Sequence, residues 1–181
     1  MKPAADILRT DRLVLRRVTT NDAQLLLAIW NDPAFIQYVG DRGIRTEDDA
    51  LRAMQEGALK LWSESGFGPY GVFEAGTRQG MGVCGLFQRE NLDAPDIGYG
   101  FLPAGRGRGF ALEAAAAVRD HAREAMGLKR ICAIVTPDHN RSIRLLEKLG
   151  MTREGAVRMP DEDEDLLLYG LVFEGSDPGV Q

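Results

Sequence analysis

The sequence predicts a single α/β domain, also describable as α+β, in which one mixed sheet has helices on both faces. Two observations support this class. Strand-like and helix-like segments alternate in the order β α α β β β α β α β β. No repeat, low-complexity tract or flexible linker divides residues 1–181. A chain of 181 residues suits one domain whose core needs neither disulfides nor metals.

The first part of the chain predicts one strand and two helices. Residues 12–18 are rich in leucine and β-branched side chains and predict a strand. Residues 19–32 have apolar side chains at helical spacing. Thr46 begins a second helix, where it forms a capping box with Asp49, and Gly66 ends this helix.

Three strands follow. Residues 70–75 and 81–88 flank a glycine-containing turn and predict a hairpin. Residues 96–102 predict the next strand, which contains Gly98 and Gly100. Glycine inside a strand indicates a bulge or a close approach by another part of the chain or a ligand.

The second half predicts two helices and three strands. Small residues recur at helical spacing over residues 110–127, which predicts a helix packed closely on a sheet. Residues 128–136 are hydrophobic enough for a strand buried on both faces. A short helix over residues 140–150 and strands over 151–159 and 166–174 complete the chain.

The composition excludes several classes of protein. With 44% hydrophobic and 27% charged residues, the chain is not mainly disordered. A net charge of −5 argues against binding to nucleic acid or to anionic membranes through overall charge. No apolar run reaches the roughly 18 residues of a membrane span, and the charged first residues do not suit a signal peptide. We therefore expect a cytoplasmic protein.

Metal binding is also not expected. The two cysteines, Cys84 and Cys132, do not form a Cys-x-x-Cys pair, and the only histidines are His121 and His139. Two separate cysteines and two histidines are too few ligands for a thiolate zinc site or a multi-histidine metal centre.

The most informative motif is the stretch FLPAGRGRG at residues 101–109, which joins a predicted strand to a predicted helix. Glycines allow successive N–H groups to converge, and the helix start adds free donors and partial positive charge. Arg106 and Arg108 add formal charge. The pattern predicts a site for phosphate or pyrophosphate. The alternatives are a solvated turn or a site for some other phosphate ligand; RNA binding is disfavoured by the few arginines and the negative net charge.

This loop resembles that of the GNAT superfamily of acetyl-CoA-dependent N-acetyltransferases, whose pattern is Gln/Arg-x-x-Gly-x-Gly/Ala; here residues 106–111 read RGRGFA. The chain is most similar to the subgroup that includes the RimJ and RimL ribosomal-protein N-terminal acetyltransferases. Residues 10–23, 30–39, 96–103 and 142–151 carry the rest of the resemblance, which therefore covers nearly the whole chain.

The resemblance implies a GNAT-like domain over residues 1–181. Its mostly antiparallel sheet would have about seven strands, including a bulged fourth strand, and would splay between the fourth and fifth. Acetyl-CoA would be the cosubstrate and would lie in that splay, with no metal. Backbone groups would hold its pantetheine and pyrophosphate, and the two loop arginines could reach its phosphates. The implied cofactor-binding residues are Gly100, Phe101, Leu102, Arg106, Gly107, Arg108, Gly109, Phe110, Ala111, His139 and Asn140.

The implied chemistry is direct attack by an amine on the thioester. An amine with a pKa near 10 is mostly protonated at neutral pH, so a carboxylate should assist its deprotonation. Asp96 is the candidate, with Glu90 and Asp93 as alternatives; each also suits a surface carboxylate at a strand end. Many family members protonate the thiolate with a tyrosine, but that position here is Leu146. Ser142, which matches a serine of the subgroup, is the candidate general acid or hydrogen-bond donor to the thiol. The alternative is a first-turn helix serine that satisfies backbone donors.

One departure from the subgroup concerns its Asn-x-x-Ser pattern, which would place asparagine at position 139. The chain has His139 there and Asn140 next to it. Either His139 replaces the asparagine or Asn140 reaches coenzyme A by a local shift. His139 is also a candidate base, the alternative being a capping or solvent-exposed imidazole, and His121 is expected to be structural.

The acceptor is expected to be an amine of a small molecule or of a protein N-terminus. Acidic residues would suit a cationic amine, although a solvated turn explains the last of them equally well; they are Asp41, Glu47, Asp48, Asp49 and the run 161–165. Four aromatic residues would line an apolar pocket or belong to the core, namely Trp30, Phe35, Tyr38 and Trp62. We expect neither nucleic-acid nor membrane partners; homodimers are common among such domains. The alternative function is a non-catalytic acyl-CoA-binding or regulatory module.

Overall fold

The computed structural model describes residues 6–160 and 163–173. Its strands form one sheet in the order β1-β2-β3-β4-β5-β6-β8-β7. The strands are β1 (Asp6–Arg9), β2 (Leu13–Arg17), β3 (Pro69–Glu74), β4 (Gly80–Phe87), β5 (Asp96–Phe101), β6 (Arg130–Val135), β7 (Thr152–Val157) and β8 (Leu166–Val172). The helices are α1 (Ala23–Trp30), α2 (Pro33–Val39), α3 (Glu47–Glu56), α4 (Ala58–Ser65), α5 (Phe110–Glu124) and α6 (Asn140–Lys148).

The sheet opens in its middle. Its neighbouring strands are antiparallel except β5 and β6, which are parallel and aligned only at Asp96 and Cys132. By contrast, β6 and β8 are aligned from Arg130 to Val135. The mixed, mostly antiparallel sheet is therefore confirmed, and β5 and β6 are the strands between which the splay was predicted. The additional strand β1 was not predicted, because four residues are too few to show an alternating pattern.

Helices cover both faces of the sheet and form separate apolar clusters. Helix α5 packs on one face, where its small side chains allow a close approach; its buried residues are Phe110, Ala114, Ala115, Val118 and Ala122. Helices α1 and α3 contribute to the cluster on the other face, which includes Leu26, Ile29, Trp30, Ala50, Met54 and Val83. Each face thus buries its own core against the central strands.

The first predicted helix ends early, and a helix that we did not predict follows it. Helix α1 ends at Trp30, and α2 begins at Pro33. The Asp32 carboxylate accepts hydrogen bonds from the N–H groups of Ala34 at 3.0 Å and Phe35 at 3.4 Å. An Asp-Pro pair at the N-cap and first helical position is a helix-start signal, so the sequence contained the information needed to place α2.

The second predicted helix is divided at Gly57. Its start is confirmed, because the Thr46 hydroxyl accepts from the N–H of Asp49 at 3.2 Å and the Asp49 carboxylate accepts from the N–H of Thr46 at 3.1 Å. Gly57 has φ −112° and ψ −90°, which is not helical, so α3 ends there and α4 begins.

The glycines of β5 mark close approaches, and its pairing with β4 shows no bulge. The two strands are aligned without interruption from Gly82 and Phe101 to Phe87 and Asp96, so the bulge implied by the family resemblance is absent from this pairing. A Cβ atom at Gly98 would lie 3.0 Å from the Phe87 ring, and one at Gly100 would lie 3.2 Å from Ile29. Neighbouring side chains therefore occupy the space above both glycines.

Two predicted segments near the C-terminus extend beyond the described residues. Strand β8 ends at Val172, and position 174, where we expected this strand to end, lies outside the described residues. Of the acidic run 161–165, positions 161 and 162 also lie outside them. Over the described ranges, none of the helices has the length and apolar character required to cross a membrane.

Candidate active site

A glycine-rich loop connects β5 to α5 at one end of the opening in the sheet. Gly107 and Gly109 have φ values of +71° and +76°, a left-handed conformation that glycine adopts without strain. A Cβ atom at Gly107 would have no neighbour within 4 Å, so the loop leaves open space beside its backbone. The free N–H groups of the first turn of α5 begin at the same place. This backbone leaves room and free donors for a phosphate group, and binding of a phosphate here stays a prediction.

The two loop arginines are bound to carboxylates. Arg106 forms an ion pair with the buried Asp32, and Arg108 forms one with Glu74. The Arg108 guanidinium also lies 4.2 Å from the centre of the Phe110 ring. Contact of either side chain with a phosphate, which the resemblance implies, would require it to release or share its carboxylate. The backbone N–H groups need no such rearrangement.

Arg12, directly before β2, supports the loop, although the sequence analysis did not single it out. Its guanidinium donates to the carbonyl oxygen of Arg108 at 2.9 Å and, through Nε, to the Glu113 carboxylate at 2.7 Å. The hydroxyl of Thr10 donates to the same carboxylate. These bonds fix the loop relative to the first turn of α5.

A cavity of about 670 Å³ extends along the opening between β5 and β6. From β5 and β6 it is lined by Asp96, Ile97, Gly98, Tyr99, Gly100, Ala133, Ile134 and Val135. Thr136, His139, Ser142 and Leu146 follow on the side of β6 and α6, and Trp30, Phe35 and Tyr38 on the side of α1 and α2. Two of the predicted cofactor-binding residues, Gly100 and His139, therefore share this cavity with the predicted catalytic residues Asp96 and Ser142, whereas the glycine-rich loop does not line it.

Ser142 is hydrogen-bonded to a tyrosine that the sequence analysis did not identify. The hydroxyl groups of Ser142 and Tyr99 are 2.7 Å apart, and Ser142 is 9% exposed. Burial raises the pKa of Tyr99 well above its usual range, so its phenol stays protonated at neutral pH and remains a hydrogen-bond donor. The sequence did contain a signal for the orientation of Tyr99. Side chains alternate between the two faces of a strand, so Tyr99 lies on the face opposite to the one where Gly98 and Gly100 meet other side chains.

Asp96 begins β5 and is 2% exposed. The Nε atom of Arg89 donates to both of its carboxylate oxygens, at 3.1 and 3.2 Å. Burial raises the pKa of Asp96, and the Arg89 charge opposes this rise only in part. Of the alternative carboxylates, Glu90 is exposed and Asp93 is bound to Arg130 at 3.4 Å. Only Asp96 among these three lines the cavity.

His139 occupies the N-cap position of α6 but does not cap the helix through its side chain. Its ring stacks on Tyr38 with centres 3.7 Å apart and planes 3° from parallel. Burial lowers the pKa of His139, which favours the neutral imidazole at neutral pH. The His139 imidazole therefore neither caps α6 nor points freely into solvent, which were the two alternatives to a catalytic base. Asn140 is exposed as the first residue of α6, while His121 is half-buried on α5 beside Tyr70.

The four acidic residues predicted to form a rim near the first helices do not line the cavity; they are Asp41, Glu47, Asp48 and Asp49. Asp41 is paired with Arg45, and Asp49 caps α3 and is paired with Arg52. Glu47 accepts a hydrogen bond from Gln24 at 3.1 Å. The expectation that they form an acidic rim is therefore not supported, because none of the four lines the cavity and three of them are bound by neighbouring side chains.

Three of the four candidate pocket aromatics line the cavity, namely Trp30, Phe35 and Tyr38. Trp62 belongs to the core, where it packs edge-on against Tyr70 and its indole donates to the Pro69 carbonyl at 3.0 Å. Among residues 6–160 and 163–173, no three His, Cys, Asp or Glu side chains lie where they could share a metal ion.

Comparison with known sequences identifies the family. The model of the acetyltransferase (GNAT) domain matches residues 12–152. The uncharacterized N-acetyltransferase YoaA of Bacillus subtilis (strain 168) is 33% identical over 153 residues, which cover 84% of this chain and 86% of that protein. The uncharacterized N-acetyltransferase p20 of Bacillus licheniformis is 32% identical over 170 residues, covering 93% of this chain and 94% of that protein.

Two solved structures share the fold at lower sequence identity. RimL, a ribosomal L7/L12 α-N-protein acetyltransferase in complex with coenzyme A, superimposes with a TM-score of 0.80 at 18% identity, covering 93% of this chain and 98% of RimL. Spermidine N-acetyltransferase from Vibrio cholerae, in complex with coenzyme A and spermine, gives a TM-score of 0.75 at 16% identity, covering 90% and 96%. The matching family model, the two relatives and the open sheet agree. The chain belongs to the GNAT family and is an N-acetyltransferase.

Proposed function

We propose that this N-acetyltransferase takes its acyl group from acetyl-CoA and transfers it to the primary amine of a small molecule or a protein N-terminus. The observation that supports this most directly is the position of the glycine-rich loop. It follows β5 directly, and β5 also supplies Tyr99 and Asp96 to the cavity. When bound, acetyl-CoA supplies an acetyl group on a thioester, which is reactive toward a neutral amine.

The proposed donor site consists mainly of backbone groups. N–H groups of residues 107–111 would hold the pyrophosphate at the start of α5, where partial positive charge favours anions. The N–H of Leu102 donates to the Met81 carbonyl at 2.9 Å, on the β4 side. By antiparallel alternation, the N–H groups of Tyr99 and Phe101 point toward the opening. They would pair with the pantetheine, since β6 is aligned with β5 only at Asp96.

The proposed base is Asp96. Its carboxylate lines the cavity and has a pKa raised by burial, which makes it a better proton acceptor than an exposed aspartate. As the nitrogen forms its bond to the acyl carbon, its proton passes to Asp96. Transfer through one water molecule would serve the same purpose.

The proposed acid is Ser142, oriented by Tyr99. As the carbon–sulfur bond breaks, the thiolate takes the proton of the Ser142 hydroxyl while the Tyr99 phenol passes its own proton to the serine oxygen. Water in the cavity then returns a proton to Tyr99, so that both hydroxyl groups are neutral again before the next turnover. Alternation along β5 places Asp96 and Tyr99 on opposite faces of the strand. The base and the acid are thus separated, as deprotonation of the nucleophile and protonation of the leaving group require.

Membership of the RimJ/RimL subgroup remains part of the proposal. It is supported by the quoted motifs and by the RimL fold, which holds coenzyme A in its own structure. The serine at position 142 fits that subgroup, whereas His139 departs from it.

A thermal-shift titration with acetyl-CoA, coenzyme A, ATP and NAD tests the donor. A ligand that binds only the folded state adds about 2.7 kcal/mol of stability at 100 times its Kd. We expect large shifts with acetyl-CoA and coenzyme A. Equal or larger shifts with ATP or NAD would contradict the assignment of the loop.

Release of coenzyme A with a broad panel of amines tests the transfer itself. We expect release above the hydrolysis background with at least one amine, and a reduced rate in Ser142→Ala. Tight binding of coenzyme A without turnover, and unaffected by Ser142→Ala, would instead favour the non-catalytic binding module.

A further inference from the structure

Two guanidinium groups from separate parts of the chain line the cavity. Arg42 lies between α2 and α3, and Arg89 follows β4 beside Asp96. Arg42 is exposed as a residue, but packing around its guanidinium lowers its pKa, and the positive charge of the nearby Arg89 lowers it further. Two cations that repel each other across a cavity create a site where an anion is stabilised.

Arg42 has aromatic neighbours instead of a carboxylate. Its guanidinium carbon lies 5.5 Å from the centre of the Trp30 ring and 5.7 Å from that of Phe35. No carboxylate of the described residues forms an ion pair with it. Contact with aromatic faces holds a guanidinium in place without occupying the N–H groups at its edge. Those donors remain available to a ligand.

Arg89 is only partly neutralised. It donates to Asp96 through Nε alone, at 3.1 and 3.2 Å, and within the described part of the chain its two terminal nitrogens have no acceptor. Arg42, Arg89 and an ionised Asp96 together carry one net positive charge. The charge becomes larger whenever Asp96 takes up a proton.

The other charged residues of the cavity lie on α3 and α4. Lys60 and Glu64 lie 3.8 Å apart on α4, and Glu56 is exposed at the end of α3. Lys60 and Glu64 offset each other, and Glu56 brings the formal charge of the whole lining to zero. No ion pair among the described residues joins Glu56 to Arg42, so the positive charge is concentrated locally at Arg42 and Arg89.

Arg89 is far from the proposed phosphate loop. Asp96 and Phe101 are the two ends of β5, and five steps along a strand span about 17 Å. The loop follows Phe101, whereas Arg89 is bound to Asp96 at the other end. Tyr99 and Ser142 lie between them. An anion that Arg89 binds together with Arg42 would therefore belong to the acceptor and not to the phosphates of the donor.

We propose that the acceptor is a small amine that also carries an oxyanion group, a carboxylate or a phosphate, bound by Arg42 and Arg89. The inference rests on the proposed function and names its substrate class. The planar fork of a guanidinium fits both oxyanions and binds them with two donors. Trp30 and Phe35, beside Arg42, provide an apolar wall for the carbon skeleton of the acceptor.

Calorimetry on the enzyme saturated with coenzyme A tests the anion site without requiring turnover. The ligands are N-acetyl amino acids with small, aliphatic, aromatic and acidic side chains, each paired with its neutral amide, and N-acetyl phosphoethanolamine. We expect at least one anionic ligand to bind about tenfold or more tightly than its neutral partner, as a charged hydrogen bond provides. Equal binding of acids and amides throughout the series, or no binding of any ligand, would overturn the proposal. The phosphate ligand shows which oxyanion is preferred.

Substitution of Arg42 connects the preference to this side chain. Arg42→Gln should remove the preference for the anion, and Arg42→Lys should restore part of it. Arg45→Gln is the matched control, because Arg45 belongs to the same segment but is bound to Asp41 and does not line the cavity. Loss of the preference in Arg45→Gln but not in Arg42→Gln would contradict the assignment.

Turnover separates this inference from the proposed function. Binding of acids that depends on Arg42, without release of coenzyme A from any amine, would retain the anion site and reject the catalytic proposal. Release of coenzyme A only with neutral or cationic amines, at rates that Arg42→Gln leaves unchanged, would retain the catalytic proposal and reject the anion site. Acetyl-CoA affinity should be the same in Arg42→Gln and the wild-type protein.

Discussion

Tyr99 gives Ser142 a hydroxyl partner that no motif in the sequence displays. Ser142 lies in the first turn of α6, where a serine often satisfies only the helix backbone. Here its hydroxyl is 2.7 Å from that of a buried phenol which stays protonated. The pair can therefore deliver a proton toward the cavity without charging either side chain in the resting enzyme.

Removal of either hydroxyl should slow the chemical step. We expect Ser142→Ala to lower kcat on the order of 10²-fold, a typical effect of losing a general acid. Tyr99→Phe should change kcat in the same direction by less, because the serine remains. Steady-state release of coenzyme A, with acetyl-CoA affinity measured separately, provides the test.

Tyr38→Phe is the control for Tyr99→Phe. Tyr38 also lines the cavity, but it contacts His139 through its stacked ring. We expect it to have little effect on kcat. A loss of activity in Tyr38→Phe as large as that in Tyr99→Phe would mean that the Tyr99 hydroxyl has no special role.

Asp96 should set the acidic limb of the pH–rate profile. A base must be ionised, so kcat/KM should rise with pH through the pKa of Asp96, which burial raises above 3.8. The positive charge of Arg89 lowers this pKa, so Arg89→Gln should raise it and move the limb to higher pH. Arg45→Gln, remote from Asp96, should leave the limb in place. Persistence of the limb in a folded Asp96→Asn variant would assign the base elsewhere.

At the scale of elements, the loop after β5 is held by three different segments. Asp32 at the start of α2 binds Arg106, Glu74 of β3 binds Arg108, and Arg12 binds the carbonyl of Arg108. Asp32 also caps α2, so the helix that lines the cavity and the proposed phosphate loop share one buried carboxylate. The proposed donor and acceptor regions are therefore connected through Asp32.

Gly109→Glu should abolish binding of the donor. The change puts a negative charge and a side chain at the proposed phosphate site, where Gly109 has φ +76°. We expect acetyl-CoA affinity to fall by at least about 10²-fold, in line with replacing a charge-assisted contact by repulsion. Calorimetry or the thermal shift measures the loss.

Gly127→Glu is the matched control for Gly109→Glu. Gly127 follows the other end of α5, has φ +65°, and has open space where a Cβ would be placed. The two substitutions introduce the same charge and similar backbone strain at opposite ends of one helix. If both reduced acetyl-CoA affinity equally in folded proteins, the loop would not be the donor site.

At the scale of the whole molecule, the opening between β5 and β6 leaves backbone groups without a strand partner. The N–H groups of Tyr99 and Phe101 should therefore exchange with solvent rapidly in the free protein. Coenzyme A should slow their exchange by pairing with them, while amides of β4, which lies between β3 and β5, should not change. Hydrogen exchange followed by NMR or mass spectrometry tests this. Full protection of both amides in the free protein would contradict an open edge.

The sequence by itself determined most features that depend on neighbouring residues. The alternating pattern of elements predicted the mixed sheet, Thr46 and Asp49 predicted the capping box, and residues 101–109 predicted a glycine-rich loop before a long helix. Each is local, because a cap, a turn or an amphipathic stripe is formed by side chains within a few positions of one another. Even α2 had a local signal in Asp32 and Pro33.

Only the tertiary structure decided which distant side chains meet. Tyr99 and Ser142 are 43 positions apart, and Arg106 and Asp32 are 74 apart. Strand register and helix packing bring such pairs together, and neither can be read from residue spacing in one chain. For the same reason, the carboxylates near Thr46 suggested an acidic acceptor rim, whereas folding binds them to local partners and leaves Arg42 facing the cavity.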